Sequence, residues 1–174
     1  IYQGEELGLH EADVDFDDLQ DPYGIEFWPE FKGRDGCRTP MVWKSSNQNG
    51  GFSEGAPWLP VSGAHISRSV AVQETDPDAP LHHYRKVLAF RRAHPALVKG
   101  AQSAMRAEGD VLSFQRTQNG ETVFCAFNLS DAPVTVDMPS GNWDLTGGEL
   151  GATATPVDGK LQLEPWQPCF ALKR

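Results

Sequence analysis

Val111-Leu112-Ser113-Phe114-Gln115-Arg116 and Thr122-Val123-Phe124-Cys125-Ala126-Phe127 flank Gln118-Asn119-Gly120. Both stretches follow a period of two, and Asn-Gly between them is a strong hairpin signal. Working downstream, further short strands are expected at Val134–Met138, near Trp143-Asp144-Leu145, at Leu161-Gln162-Leu163 and at Cys169–Leu172, with a tight turn at Asp158-Gly159. Several short strands at this spacing predict a small antiparallel β-sandwich. The change of pattern near Lys99-Gly100 sets the expected domain boundary, giving residues 1–99 and 100–174.

Upstream of that boundary the period changes. Leu81, Tyr84, Val87 and Leu88 fall on one helical face, which predicts a helix over 79–94. Asp78 is the expected N-cap, Pro80 suits the first turn, and Pro95 stops the helix. Arg91 and Arg92 complement the dipole at its end, and His94 is expected to cap the last carbonyls.

Residues 5–79 show no lasting period and are punctuated by Asp21-Pro22, Asn49-Gly50-Gly51 and Asp76-Pro77. A connection this long in a compact domain is commonly a lid or a binding loop. Trp28, Trp43 and Trp58 argue for order, because large rings are costly to leave in water. One short strand at the start, one long loop and one helix cannot bury one another. The N-terminal part therefore reads as the last βα unit of a larger protein, and the chain as a fragment.

Composition narrows the function. The 174 residues carry a formal net charge of −9 and 39% apolar residues, with no long uncharged apolar run. That excludes a membrane-crossing helix and argues against a nucleic-acid partner. Residues 1–60 hold 12 acids against 4 bases, so the long loop supplies most of the excess. Such a loop repels anions and suits neutral or cationic ligands. No basic and apolar leader opens the chain. Cys37, Cys125 and Cys169 are widely spaced and form no CxxC pair, which disfavours zinc, redox motifs and a disulfide framework. A reducing, cytoplasmic setting is expected, with the periplasm left open. Cys125 and Cys169 sit in apolar runs and read as core, whereas Cys37 is either reactive or a small buried thiol.

Three stretches carry a family resemblance. Ile1-Tyr2-Gln3-Gly4-Glu5-Glu6-Leu7-Gly8 resembles the eighth barrel strand and its exit in the α-amylase superfamily, glycoside hydrolase family 13. Gly33-Arg34-Asp35-Gly36-Cys37-Arg38-Thr39-Pro40-Met41-Val42-Trp43 resembles the Arg-Asp-x-x-Arg-Thr-Pro-Met-x-Trp signature of its α-glucosidase, oligo-1,6-glucosidase and sucrose-acting branch; Val42 stands where that signature has Gln. Tyr84-Arg85-Lys86 through Arg91-Arg92-Ala93-His94-Pro95-Ala96-Leu97 resembles the last barrel helix and its exit into a C-terminal β domain. Phe27-Trp28-Pro29-Glu30 looks most like the bacterial α-glucosidases.

The resemblance implies a mixed fold. The last βα unit and the long loop of a (β/α)8 TIM barrel would be followed by an antiparallel β-sandwich C-terminal domain. Such a barrel needs roughly 250 residues, so the rest of it is expected N-terminal to Ile1. The implied activity is that of a retaining, exo-acting α-glucosidase, with an oligosaccharide or α-glucoside as substrate and no cofactor. The family's three catalytic carboxylates lie on earlier strands. No catalytic residue is therefore expected in this chain, which alone should be inactive. A stand-alone carbohydrate-binding or structural β-sandwich module is the alternative from another class. Sucrose hydrolase, sucrose isomerase and trehalose synthase are alternatives within the enzyme class.

Three residues are the candidate substrate-binding groups. By resemblance, Arg38 closes the pocket around the terminal sugar by clasping an upstream carboxylate; a planar guanidinium suits that clasp. Arg34 either faces the entrance or pairs with Asp35. Asp15 either faces the hydroxyls of a second sugar or is solvated charge. Asp13, Asp15, Asp17 and Asp18 do not make an EF-hand, because the sixth and twelfth places from Asp13 hold Asp18 and Gly24, so no metal site is expected. Tyr2, Gly4 and Glu6 read as architectural, and the Trp residues as sugar platforms or packing.

Overall fold

The computed structural model describes residues 1–157 and 160–174, so the expected Asp158-Gly159 turn lies outside the described residues. The chain divides into two units, Ile1–Arg85 and Lys86–Arg174. Among the described residues, no helix is long and apolar enough to cross a membrane.

In the second unit the hairpin forms as its sequence predicts. Strands β2 (Val111–Gln118) and β3 (Glu121–Asn128) pair antiparallel. Asn119 (φ 50°) and Gly120 (φ 86°) are both left-handed, as a two-residue turn matching the strand twist requires. The strand β1 (Ala101–Glu108), which period alone does not single out, pairs with β2. The remaining strands are β4 (Val134–Val136), β5 (Trp143–Thr146), β6 (Thr155–Val157), β7 (Lys160–Leu163) and β8 (Pro168–Lys173). They form a five-stranded sheet ordered β1-β2-β3-β8-β5 and a three-stranded sheet ordered β4-β7-β6.

The apolar run in β3 is explained by burial on both faces. Phe124 and Ala126 join Cys169 and Ala171 of β8 against Val136, Leu161 and Leu163 of the smaller sheet. Val123 and Cys125 point the other way, against Ala96 and Leu97 of the short helix α5 (Pro95–Lys99). Cys125 and Cys169 are core thiols, and burial pushes them up to about 12 and about 11.

In the first unit the long loop is ordered without regular ladders. It contains the short helices α1 (Pro22–Glu26), α2 (Gly63–Ile66) and α3 (Val70–Gln73), besides several single 3-10 turns. Asp21-Pro22 is thus a helix start, not only a breaker: Asp21 is the N-cap and Pro22 opens the first turn. No ladder forms at Ile1-Tyr2-Gln3: a strand needs a neighbour for its N–H and C=O groups, and among the described residues none pairs with these three. Two small cores hold the loop: Leu7, Met41, Val42 and Leu81 in one, and Val14, Leu19 and Leu59 with Trp28 in the other. Trp43 and Trp58 are 49% and 63% exposed, so of the three Trp residues only Trp28 acts as packing.

The long helix α4 spans Pro80–Ala93. Its first turn is capped by Gln73 rather than by Asp78: the Leu81 N–H donates to Gln73 Oε1 at 3.1 Å. The Gln73 amide nitrogen donates in turn to the Leu7 and Arg68 carbonyls at 2.8 and 3.0 Å. At the other end His94 does not cap carbonyls. Its Nδ1 lies 3.0 Å from Glu121 Oε2, while Glu121 Oε1 accepts the Ala96 N–H at 2.8 Å.

Burial pushes the Glu121 carboxyl up, but the Ala96 N–H and the His94 ring outweigh it and hold it below the usual range. A depressed folded-state value stabilises the fold at pH above the ordinary carboxylate range, about 4.3. That stabilisation is lost as the pH falls through the lower folded-state value. Glu121→Gln is expected to remove this component of acid sensitivity, read as a flatter unfolding midpoint against pH between roughly 5 and 3.

Candidate functional site

The segment 33–43 is placed by two buried carboxylates. Asp35 opens a 3-10 turn over Asp35–Cys37, and its side chain is fully buried. Its Oδ2 accepts the N–H groups of Gln20 and Asp21 at 2.6 and 2.7 Å. Asp21 in turn accepts the Arg34 N–H at 2.9 Å and both Nε and Nη2 of Arg34 at 2.8 Å. This two-point guanidinium clasp, with the Arg34 and Tyr23 N–H groups, holds the Asp21 carboxyl well below the usual carboxylate range despite its burial. Arg34 also lies over the Tyr23 ring at 5.9 Å. Of the two readings of Arg34, pairing with Asp35 is therefore corrected: its partner is Asp21, because Asp35 is already turned to backbone N–H groups.

Beyond this clasp the chain turns into an open cavity of about 320 Å³. Tyr2, Gly4, His10, Glu11, Cys37 and Arg38 are among the residues that line it. Arg38 is exposed and, among the described residues, forms no ion pair. Its backbone N–H closes the 3-10 turn on the Asp35 carbonyl at 2.8 Å. Cys37 is exposed, which decides against the buried-thiol reading. Glu6 is architectural as expected: its Oε2 accepts the Gly4 N–H at 2.8 Å.

A second cavity of about 420 Å³ shares Glu11 and Gly36 with the first and is also lined by Asp13, Glu30 and Lys32. Lys32 pairs with Asp13 and lies 5.4 Å from the centre of the Trp28 ring. Asp15 joins neither cavity; it is exposed at the start of a 3-10 turn over Phe16–Asp18. Among the described residues, no group of three or more His, Cys, Asp or Glu could hold a metal ion.

The structure thus brings Arg38 to a cavity, ties Arg34 to Asp21 and leaves Asp15 outside. Asp21, His10, Glu11 and His65 are the residues that sequence reasoning missed. Asp21-Pro22 carried a usable helix-start signal. His65 carried none, since it bonds to His10 and Thr39, 55 and 26 residues away.

The family model described as alpha amylase, catalytic domain, matches residues 1–100. The chain belongs to the α-amylase family. It is 53% identical over 171 residues to a probable alpha-glucosidase of Rhizobium meliloti (strain 1021), covering 98% of this chain and 31% of that protein. It is 30% identical over 174 residues to an oligo-1,6-glucosidase of Heyndrickxia coagulans, covering 89% of this chain and 31% of that one. The crystal structure of the alpha-glucosyl transfer enzyme XgtA matches at TM-score 0.91 and 44% identity, over 100% of this chain and 32% of that one. This α-amylase-family chain therefore spans about a third of the length of the curated relatives it matches.

The Asp21–Arg34 clasp predicts a directional result. Lys at position 34 keeps the charge but cannot chelate two oxygens from one planar fork. Arg34→Lys is expected to lower the thermal midpoint of the chain, and Asp21→Asn to lower it further. An unchanged midpoint in Asp21→Asn would show that the clasp does not hold the loop.

Proposed function

We propose that this chain is the C-terminal part of a retaining, exo-acting α-glucosidase that removes terminal α-linked glucose from oligosaccharides, sucrose or α-glucosides. In this reading residues 1–99 are the closing βα unit and active-site loop of a (β/α)8 barrel, and residues 100–174 are its C-terminal β-sandwich. The observation that carries it is Arg38: it is exposed on a cavity wall, without an ion pair among the described residues, while Arg34 of the same motif is held by Asp21. The names of the relatives, probable alpha-glucosidase and oligo-1,6-glucosidase, support the same reading.

A retaining mechanism needs two carboxyl groups about 5 Å apart across the scissile bond. In this reading they come from outside residues 1–174, and the chain's own groups bind and shape. The Arg38 guanidinium clasps a carboxylate in the completed barrel and blocks the far end of the pocket, so only a chain end enters. Glu11, on the wall shared by both cavities, accepts hydrogen bonds from sugar hydroxyls. Arg34 and Asp15 keep a lesser place in the proposal, Arg34 through the Tyr23 ring at the loop surface and Asp15 as an acid on the outer lip.

A second reading is favoured by one comparison. XgtA is named an alpha-glucosyl transfer enzyme, and transfer differs from hydrolysis only in the acceptor that attacks the glucosyl intermediate. The test is product analysis with the full-length enzyme on maltose, isomaltose and sucrose. α-Glucose as the first-formed anomer supports retaining hydrolysis, new oligosaccharides support transfer, and β-glucose first overturns retention. Arg38→Lys is expected to lower kcat/KM roughly 10- to 100-fold, the worth of a charged hydrogen-bond pair. Residues 1–174 alone should not turn over a chromogenic α-glucoside.

A further inference from the structure

One buried side chain touches two walls of the first cavity. His65, on α2, is 4% exposed. Its Nε2 lies 2.8 Å from the His10 carbonyl oxygen, and its Nδ1 lies 3.4 Å from the Thr39 hydroxyl. A carbonyl only accepts, so Nε2 carries the proton, and in the neutral ring Nδ1 accepts from the Thr39 hydroxyl. The imidazole is therefore a rigid link with a donor at one end and an acceptor at the other.

A second tie lies close by. The Ala12 N–H donates to the Gly36 carbonyl at 3.0 Å. Position 36 must be glycine for this approach, since a Cβ there would sit 2.3 Å from the Ala12 carbonyl oxygen and 2.7 Å from Glu11 Cγ. The segment 10–12 is thus pinned at both ends to the segment 36–39: by backbone at Ala12 and by the imidazole at His10. Glu11 lies between the two pins, and Arg38 lies next to Thr39.

We propose that His65 is a positioning residue. It fixes the separation between the Glu11 wall and the Arg38 wall, and so sets the width of the cavity that receives a terminal sugar ring. The substrate in this statement rests on the glucosidase reading, whereas the geometry does not. Errors in such spacing are expensive, because groups that bind or react must be held to fractions of an ångström.

Two measurements test it. The first is amide hydrogen exchange on the full-length enzyme without any ligand, read over residues 1–174, comparing the unmutated protein with His65→Ala, His65→Gln and Thr39→Val. His65→Ala should speed exchange about tenfold at Ala12, Cys37 and Arg38, with β2 and β3 unchanged. His65→Gln, whose amide nitrogen reaches the His10 carbonyl, should restore protection at Ala12, and Thr39→Val should affect only Cys37 and Arg38. The second is kinetics in the full-length enzyme, where His65→Ala should raise KM for a neutral α-glucoside roughly tenfold with a much smaller change in kcat. Unchanged exchange at these amides overturns the proposal. So does a uniform rise over residues 1–85 that His65→Gln does not relieve, which marks a general structural role. Localised exchange effects in an enzyme inactive on every α-glucoside would uphold the positioning role and overturn the glucosidase reading instead.

Discussion

Asp35 faces two backbone N–H groups, and almost everything in the first unit around the signature follows from that choice. A loop without ladders has many N–H groups that water or side chains must satisfy. Asp35 Oδ2 takes those of Gln20 and Asp21, which fixes the start of α1 against the 3-10 turn at Asp35–Cys37. The two carboxylates so brought inward would be costly without a cation. Arg34 supplies it, chelating Asp21 from the position before Asp35. The consequence reaches the cavity: with Arg34 committed to Asp21, the guanidinium of the signature without an ion pair among the described residues is Arg38.

The second unit is held by a different force. Strand β3 is buried on both faces, with the smaller sheet against Phe124 and Ala126 and α5 against Val123 and Cys125. Phe124 and Val123 each contribute about 1.5–3 kcal/mol on leaving water, and the pattern tolerates exchange of one apolar residue for another of similar volume. The first unit has smaller apolar clusters and leans on directional bonds to named atoms, such as the three that Gln73 makes to Leu7, Arg68 and Leu81. Its tolerance to substitution is correspondingly narrower, since removing one partner strands another polar group.

This difference decides what could be read from sequence. Strands β2 and β3, the Asn119-Gly120 turn and α4 were legible because period and turn chemistry are local. Strand β1 was not, because it is exposed along its whole length and pairs only on one side. The short strand expected at the start of the chain failed for the complementary reason: a strand is a relation between neighbours, and the pattern shows only one of them. In the site, the signature marked Arg38 and Arg34, but not the partner of Arg34, which lies 13 residues upstream. His65 and Gln73 were invisible, since their bonds cross 55 and 66 residues. Polar residues without a period gain meaning only when the fold says what they face.

The acidic excess can now be apportioned. Residues 1–60 hold 12 acids and 4 bases. Asp21 and Asp35 are interior, and Glu5 and Glu6 fold back onto the N–H groups of Tyr2 and Gly4, so these four acids serve the backbone. Two of the four bases are committed as well, Lys32 to Asp13 and Arg34 to Asp21. Among the described residues, the first cavity is lined by one unpaired guanidinium, Arg38, by the acids Glu5 and Glu11, and by His10 and His65. With two acids against one base, such a lining disfavours anions, as the surrounding acids do. Among neutral ligands, its selectivity must come from where donors and acceptors stand rather than from how much charge they carry. That is the kind of discrimination a neutral, hydroxyl-rich ligand demands, and it makes the spacing of the walls matter more than their sign.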